Sequence, residues 1–399
     1  PVAKDPAGDI AKALAAPVES RPLTELAGPG KTACILICDI TRPVPNHLFL
    51  RPLVEELTRG GVALDDITIV VATGLHRPNQ GQELAELVGD PWVLDNIRIE
   101  NHFAREDADH VEVGVTSRGT VAKLDRRFVE ADIRIATGLV EPHFMAGYSG
   151  GRKVITPGVA HAETITRLHT ATFLEDPKAA NCVLSGNPLH QEQLEIVGLL
   201  GGALALNTVI DDERRLSFVN FGEIQASHMQ AVEFVRPYAE VFLDHPFDSV
   251  LTSSAGYPLD KTFYQTVKGM VGAMQILRQG GNMFVVSEIS EGLGSPEYIQ
   301  AQERLLDLGT VGFLDHIRPK PFAAIDEWQT EMQLKAMRKG RVHLFTQTLT
   351  EQEQRLTGVE VLSSKEALMG KIAASLDKNK CLAVIPEGPY VLPSLESAN

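Results

Sequence analysis

Three short runs, ACILIC at 33–38, DITIVVA at 66–72 and DIRIATG at 132–138, read as strands, the first almost wholly apolar, and each leads directly into a polar or glycine-containing loop. A strand that alternates apolar and polar residues has one solvated face, whereas a continuous apolar run reads as a strand buried on both faces. Between the first two lies HLFLRPLVEELTRGG, with helical apolar spacing and a Gly60-Gly61 stop, and after the second comes QGQELAELVG; IRIEN at 97–101 supplies a further strand. Strand and helix in alternation predict an α/β fold built on a mainly parallel sheet with right-handed crossovers. In such sheets ligands sit beyond the carboxyl ends of the strands. Asp39 and Arg42, His76, and His143 each follow a different predicted strand. They are therefore expected at one sheet edge.

Downstream, SGNPLHQEQLEIVGLLG reads as a capped helix, and LALNTVIDDERRLSFVNFG as a hairpin turning at Asp211 to Arg214. A second α/β pattern then starts, with strands SVLTSSA, NMFVVSE, VHLFT and KCLAVIPEG, a helix TFYQTVKGMVGAMQILR, and helices near 296–308 and 327–339. A chain of 399 residues suits about two domains. The boundary is expected near 237–247, giving an N-terminal domain 1–240 and a C-terminal domain 247–399, each a mainly parallel sheet flanked by helices, with the site in the cleft they form.

A formal charge of −15 argues against nucleic-acid binding, which needs clustered Lys and Arg to displace counterions from phosphates. No apolar run approaches the roughly 20 residues that cross a bilayer. The four cysteines, Cys34, Cys38, Cys182 and Cys381, have no repeated spacing and read as reduced thiols. The opening PVAKDPAGDIAKALAAP does not read as a signal peptide, and the expected location is the cytoplasm.

The densest set of reactive groups is EPHFMAGYSGGRKVITPGVAHAETITRLH, 141–169. His143 has the residue type of a general base near neutrality, as does His76 in TGLHRP. Lys153 follows Gly147-Tyr148-Ser149-Gly150-Gly151-Arg152, where small residues let a ligand approach the backbone, though a surface lysine on a loop is an equal reading. The loop is neither a Walker A motif nor a GxGxxG fingerprint. His161 and His169 are eight apart with no local Cys or Glu partner, so spacing alone favours a structural His169. In the second domain Tyr264 and Lys268 are four apart on one helical face; Lys268 reads as a solvated charge or an anion ligand, and Trp328 as a core residue or a site residue.

Taken together, DITRP at 39–43, TGLHRP at 73–78, EPHFMAGYSGGRK at 141–153, His169 in RLHT, YPLDKTFYQTVKG at 257–269 and Trp328 resemble the nickel-dependent lactate racemase family of 2-hydroxyacid racemases and epimerases. The resemblance runs through most of the chain in the expected order. It implies a nickel pyridinium-3,5-bisthiocarboxylic acid mononucleotide tethered at Lys153, with His169 as the protein's ligand to nickel, against the reading from spacing. It implies His76 and His143 as the catalytic acid/base pair, and Arg42, Gln265 and Lys268 as contacts to a small 2-hydroxy acid. Asp39, Tyr264 and Trp328 fall at cofactor-contacting positions, and the glycine loop with Tyr148, Gly150 and Gly151 is expected, from its own chemistry, to cradle the cofactor phosphate. Proteins that make the cofactor and insert nickel are implied partners. The competing expectations are a carrier or sensor of the cofactor without turnover, and a conventional zinc hydrolase using His143 and His169.

Overall fold

The structure, a computed structural model, describes all residues except Pro258, 377–379 and 396–399, and the features given are those of the described residues. The chain divides into two compact units: Pro1–Glu141 with Tyr148–Leu168 and Leu184–Arg236, and Pro142–Gly147 with His169–Val183 and Pro237–Asn399. The second unit thus takes in two short segments that a single boundary near 237–247 leaves in the N-terminal part.

The first unit is built on a six-stranded sheet. Its strands are β1 (Ala33–Cys38), β2 (Ile67–Ala72), β3 (Arg98–Asn101), β4 (Ile133–Leu139), β5 (Leu204–Ile210) and β6 (Leu216–Glu223). The order is β6-β5-β4-β1-β2-β3, parallel throughout except for the β5/β6 hairpin. The apolar runs behave as expected: Ile35, Leu36, Ile37, Ile69, Val70, Val71 and Ile135 have no exposed surface. Helix α1 (Asn46–Arg59) buries Phe49, Leu50, Leu53, Val54 and Leu57 against the sheet, and α2 (Gly81–Val88) ends at Gly89 in the left-handed region. The chain winds outward from β1 through β2 to β3, then crosses back to place β4 on the other side of β1. That reversal puts the switch point of the sheet beyond the carboxyl ends of β1 and β4, the position where open α/β sheets bind ligands.

The second unit has a five-stranded sheet, fully parallel, from β7 (Phe247–Ser253), β8 (Leu277–Val286), β9 (Gly340–Phe345), β10 (Glu360–Leu362) and β11 (Leu382–Ile385), ordered β10-β9-β8-β7-β11. Its helices include α3 (Phe263–Ala273), α4 (Pro296–Ile317) and α5 (Glu327–Lys339). Gly309, at φ +68° and ψ 175°, breaks α4 into two helical pieces, so the first ends near 308 as expected and a second continues to Ile317. The short helix Ala171–Leu174 joins this unit through an apolar cluster of Ala171, Leu305, Phe313, Leu314, Ile317 and Leu334, and Arg338 pairs with Glu175 at 2.9 Å. Among the described residues no helix is long and apolar enough to cross a membrane.

Candidate active site

At the switch point of the first unit, Asp39 leaves the end of β1 and is almost fully buried. Its Oδ1 accepts from the amide and hydroxyl of Thr41 at 3.0 and 2.5 Å, and its Oδ2 faces Nδ1 of His76 at 2.6 Å. Burial pushes the Asp39 carboxyl up, but the hydrogen bond and charge of His76, the bond from Thr41 and the charge of Arg42 outweigh it and hold the group below its usual range. A carboxylate can only accept, so Nδ1 of His76 carries a proton, and in the neutral imidazole Nε2 then holds the lone pair. The His76 side chain is 60% exposed, so that lone pair is available to a substrate.

The loop bearing His76 is held from behind. The His76 amide closes a turn on Thr73 O at 2.9 Å, and the Gly74 amide reaches Gly158 O at 2.9 Å with φ at +55°, a region that glycine enters without strain. Asn79, which is buried, ties its loop to the loop after β1, the end of β3 and α2: its Oδ1 accepts from Ile40 N at 3.3 Å, its main-chain N–H donates to Asn101 Oδ1 at 2.8 Å, and its Nδ2 donates to Glu83 at 2.9 Å. Arg42, four residues beyond β1, lies 3.7 Å from Glu141, two residues beyond β4.

Lys153 sits on the short helix Arg152–Ile155, entered through Gly150 at φ +76° and Gly151 at φ +48°. A Cβ on Gly150 would stand 2.8 Å from the carbonyl oxygen of Leu139, so this loop packs onto the end of β4 only with glycine there. Tyr148 and Arg152 are buried beside the loop. Burial, with the charges of Arg42 and Arg152, pushes the Lys153 amine down to about 7. A neutral amine is the nucleophilic form. In the protein without cofactor, Lys153 is therefore expected to react with a small acylating reagent along a curve rising with pH through a midpoint near 7, while exposed lysines respond only at much higher pH; quantitative labelling read by peptide mass spectrometry checks this.

The second unit assembles a separate set. Helix α3 starts at Thr262, whose hydroxyl accepts from Gln265 N at 3.3 Å, so Tyr264, Gln265 and Lys268 all lie in its first turns. Nε1 of Trp328 on α5 donates to Tyr264 Oη at 3.2 Å, and Gln329 Nε2 donates to Tyr264 O at 2.6 Å, locking α3 to α5 at this end. The His169 ring rests against Trp328 with centroids 4.6 Å apart. Gln265 Oε1 is buried with no hydrogen-bond partner among the described residues, an arrangement that leaves an acceptor for a ligand. In the Pro142–Gly147 segment, Nδ1 of His143 accepts from the amides of Met145 and Ala146, each at 3.2 Å. The Phe144 ring lies 5.0 Å from the His143 ring and 6.0 Å from Lys268 Nζ, centroid to centroid and nitrogen to centroid.

The structure thus sorts the sequence-predicted residues into two groups. The first unit holds Asp39, Arg42, His76, Tyr148, Gly150, Gly151 and Lys153; the second holds His143, His169, Tyr264, Gln265, Lys268 and Trp328. Asp39, Arg42 and His76 share the sheet edge as the pattern predicts. His143, expected at the same edge, belongs to the other unit, because the chain leaves the first unit after Glu141. Thr41, Asn79 and Glu141 were missed from sequence; Asn79 follows Pro78 in a loop, a turn signal that carries no hint of its contacts with Ile40, Glu83 and Asn101. The described residues contain no group of three or more His, Cys, Asp or Glu that could hold a metal ion. A zinc site takes three or four protein ligands, so the zinc hydrolase expectation has no ligand set among them.

Known proteins share this organisation. Residues 1–181 match the family described as the lactate racemase N-terminal domain, and residues 243–392 the lactate racemase C-terminal domain. The chain is 31% identical over 387 residues to a lactate racemase of Thermoanaerobacterium thermosaccharolyticum, covering 96% of this chain and 89% of that one. It is 30% identical over 390 residues to a lactate racemase of Lactiplantibacillus plantarum, with 96% and 90% covered. The lactate racemase apoprotein structure from Thermoanaerobacterium thermosaccharolyticum superposes with a TM-score of 0.92 at 27% identity, over 98% of this chain and 93% of that one. A Thermotoga maritima protein, at 19% identity and a TM-score of 0.69, shares the fold, with 94% and 96% covered.

Proposed function

The chain belongs to the lactate racemase family, and on that premise we propose that it racemises or epimerises a small 2-hydroxy acid by reversible removal of the α-hydrogen as hydride, through a 2-oxo acid. The observation that carries the reading is the 2.6 Å contact of Asp39 with His76 at the switch point of the first sheet. It leaves Nε2 of His76 as an oriented acceptor for a hydroxyl proton, worth about 10²–10⁴ in rate when such a group is positioned.

The side chains fit the family's nickel-pincer nucleotide. Lys153, its amine pushed down to about 7, reaches near neutrality the uncharged form that a covalent tether needs, and Gly150 and Gly151 with Tyr148 form the loop beside it. His169 would be the protein's ligand to nickel, with the metal's remaining ligands supplied by the cofactor. Tyr264 and Trp328 match cofactor-contacting positions of the family. When bound, the cofactor supplies a hydride acceptor, chemistry no amino-acid side chain offers. The chain's own residues handle the rest. Arg42 and Lys268 present a fork and a point charge for the substrate carboxylate. Gln265 offers its unsatisfied Oε1, and His76 and His143 handle the proton at the substrate oxygen. Asp39 fits orientation of His76 better than cofactor contact, because both its oxygens are already engaged.

A carrier or sensor without turnover has no use for an oriented imidazole, so the Asp39 and His76 pair favours the enzyme. The experiment is incubation of the cofactor-loaded protein with single enantiomers of lactate, malate, phenyllactate and sugar acids, followed by chiral chromatography. Inversion of at least one is expected; no inversion of any, with the cofactor on Lys153, would leave the carrier reading.

A further inference from the structure

His102 follows β3 directly and is buried against Asp125, the last residue of the strand Val121–Asp125. Its Nδ1 faces the Asp125 carboxylate at 3.0 Å, and its Nε2 faces the main-chain oxygen of Ala160 at 3.1 Å. Both of these groups only accept. Burial pushes the Asp125 carboxyl up, but the bonds and charges of Arg127 and His102 outweigh it and hold the group well below its usual range; a main-chain carbonyl has no proton to give. Both ring nitrogens of His102 therefore donate, and turning the ring over would set carbon-bound hydrogens against both oxygens. A buried imidazolium is costly unless it is paired. Here His102 and Arg127 meet the carboxylates of Asp125 and Glu100, and the four charges cancel.

The main chain of His102 grips the loop that bears His76: its amide donates to Val71 O at 3.1 Å, and its carbonyl accepts from the Thr73 hydroxyl at 2.7 Å. Its ring grips the chain that leaves Lys153. Past the short helix Arg152–Ile155, three successive carbonyls each accept from a different part of the unit: Gly158 O from the Gly74 amide at 2.9 Å, Val159 O from the Asp125 amide at 2.9 Å, and Ala160 O from His102 Nε2. All of these residues belong to the first unit. We propose that His102, fixed by Asp125, is a positioning residue that registers the His76 loop against the segment following Lys153. One buried side chain thereby sets the spacing between an acid/base group and the tether. This rests on the racemase reading and adds to it a residue that acts from behind the site.

Asparagine at position 102 keeps a donor near the place of Nδ1 and glutamine keeps one near the place of Nε2, which separates the two arms. In the cofactor-loaded enzyme, His102→Asn drops the Ala160 contact and is expected to lose on the order of 10²-fold in kcat with KM little changed, the cost of misplacing a reacting group by about 1 Å. His102→Gln keeps that contact, leaves Asp125 to Arg127, and should retain most of the activity. Hydrogen exchange of the cofactor-free proteins, read by mass spectrometry, is expected to quicken at 73–76 and 158–160 together in His102→Asn and to stay as in the unmodified protein in His102→Gln. An undiminished kcat in His102→Asn, an equal loss in both variants, or exchange that quickens in only one of the two segments overturns the inference. Nitrogen-15 NMR of histidine-labelled, unmodified protein at neutral pH tests it without any substitution: both ring nitrogens of His102 are expected to be protonated, and an unprotonated ε nitrogen overturns it. Absence of activity in the unmodified enzyme would sink the racemase reading, while exchange and NMR would still decide whether His102 joins the two segments.

Discussion

Lys153→Ala is expected to abolish turnover and to remove any cofactor adduct from the intact mass, while leaving the fold intact. The substitution deletes an amine that burial and two neighbouring cations hold near neutral at about pH 7. Removing it relieves a buried positive charge next to Arg42 and Arg152, so the thermal midpoint should stay the same or rise. Lys153→Arg separates charge from chemistry: the guanidinium remains protonated at any accessible pH and is no nucleophile. It should fail like the alanine variant, with no adduct and no activity. Activity retained by either variant with nickel bound would mean that the tether is dispensable.

Asp39→Asn carries the second large effect, expected at about 10²–10⁴-fold in kcat with KM little changed. The argument lies in which oxygen does what. Oδ1 accepts two bonds from Thr41, at 3.0 and 2.5 Å, so the asparagine carbonyl is pinned at that position and its NH₂ is turned toward Nδ1 of His76. That nitrogen must then accept, the proton moves to Nε2, and the lone pair that receives the hydroxyl proton is gone. A kcat that falls with KM preserved, together with a His76 nitrogen pattern switched to protonated ε, distinguishes this tautomer change from a general loss of structure. Unchanged kcat would assign Asp39 to a role other than orienting His76.

Much of the scaffold was legible because both sheets are mainly parallel, and the central strands of the first are buried on both faces, which prints continuous apolar runs such as 33–38 and 66–72 into the sequence. The position of Asp39, Arg42 and His76 followed from the same pattern, since a residue just after a parallel strand lies at the ligand-binding edge. Their pairing did not follow. Asp39 and His76 are 37 residues apart, and only the register of β1 against β2, with Cys38 opposite Ala72, brings their loops together. Periodicity also carries no information about which body a loop joins. Pro142–Gly147 and His169–Val183 leave the first unit, the latter through the buried contact of Ala171 with Leu305, Phe313 and Leu334. For His169, spacing suggested a structural residue, and only the resemblance to known racemases suggested a metal ligand; its contact with Trp328, 159 positions later, is invisible to any local pattern.

The central claim, inversion of a 2-hydroxy acid by hydride removal and return, is tested most directly with a single enantiomer deuterated at the α-carbon and incubated with the cofactor-loaded enzyme in ordinary water. Hydrogen that leaves carbon with its electron pair is not shared with solvent protons, so the opposite enantiomer is expected to form with deuterium retained at the α-carbon. Inversion accompanied by washout of deuterium into water would contradict the account, since it would mean removal of a proton rather than a hydride.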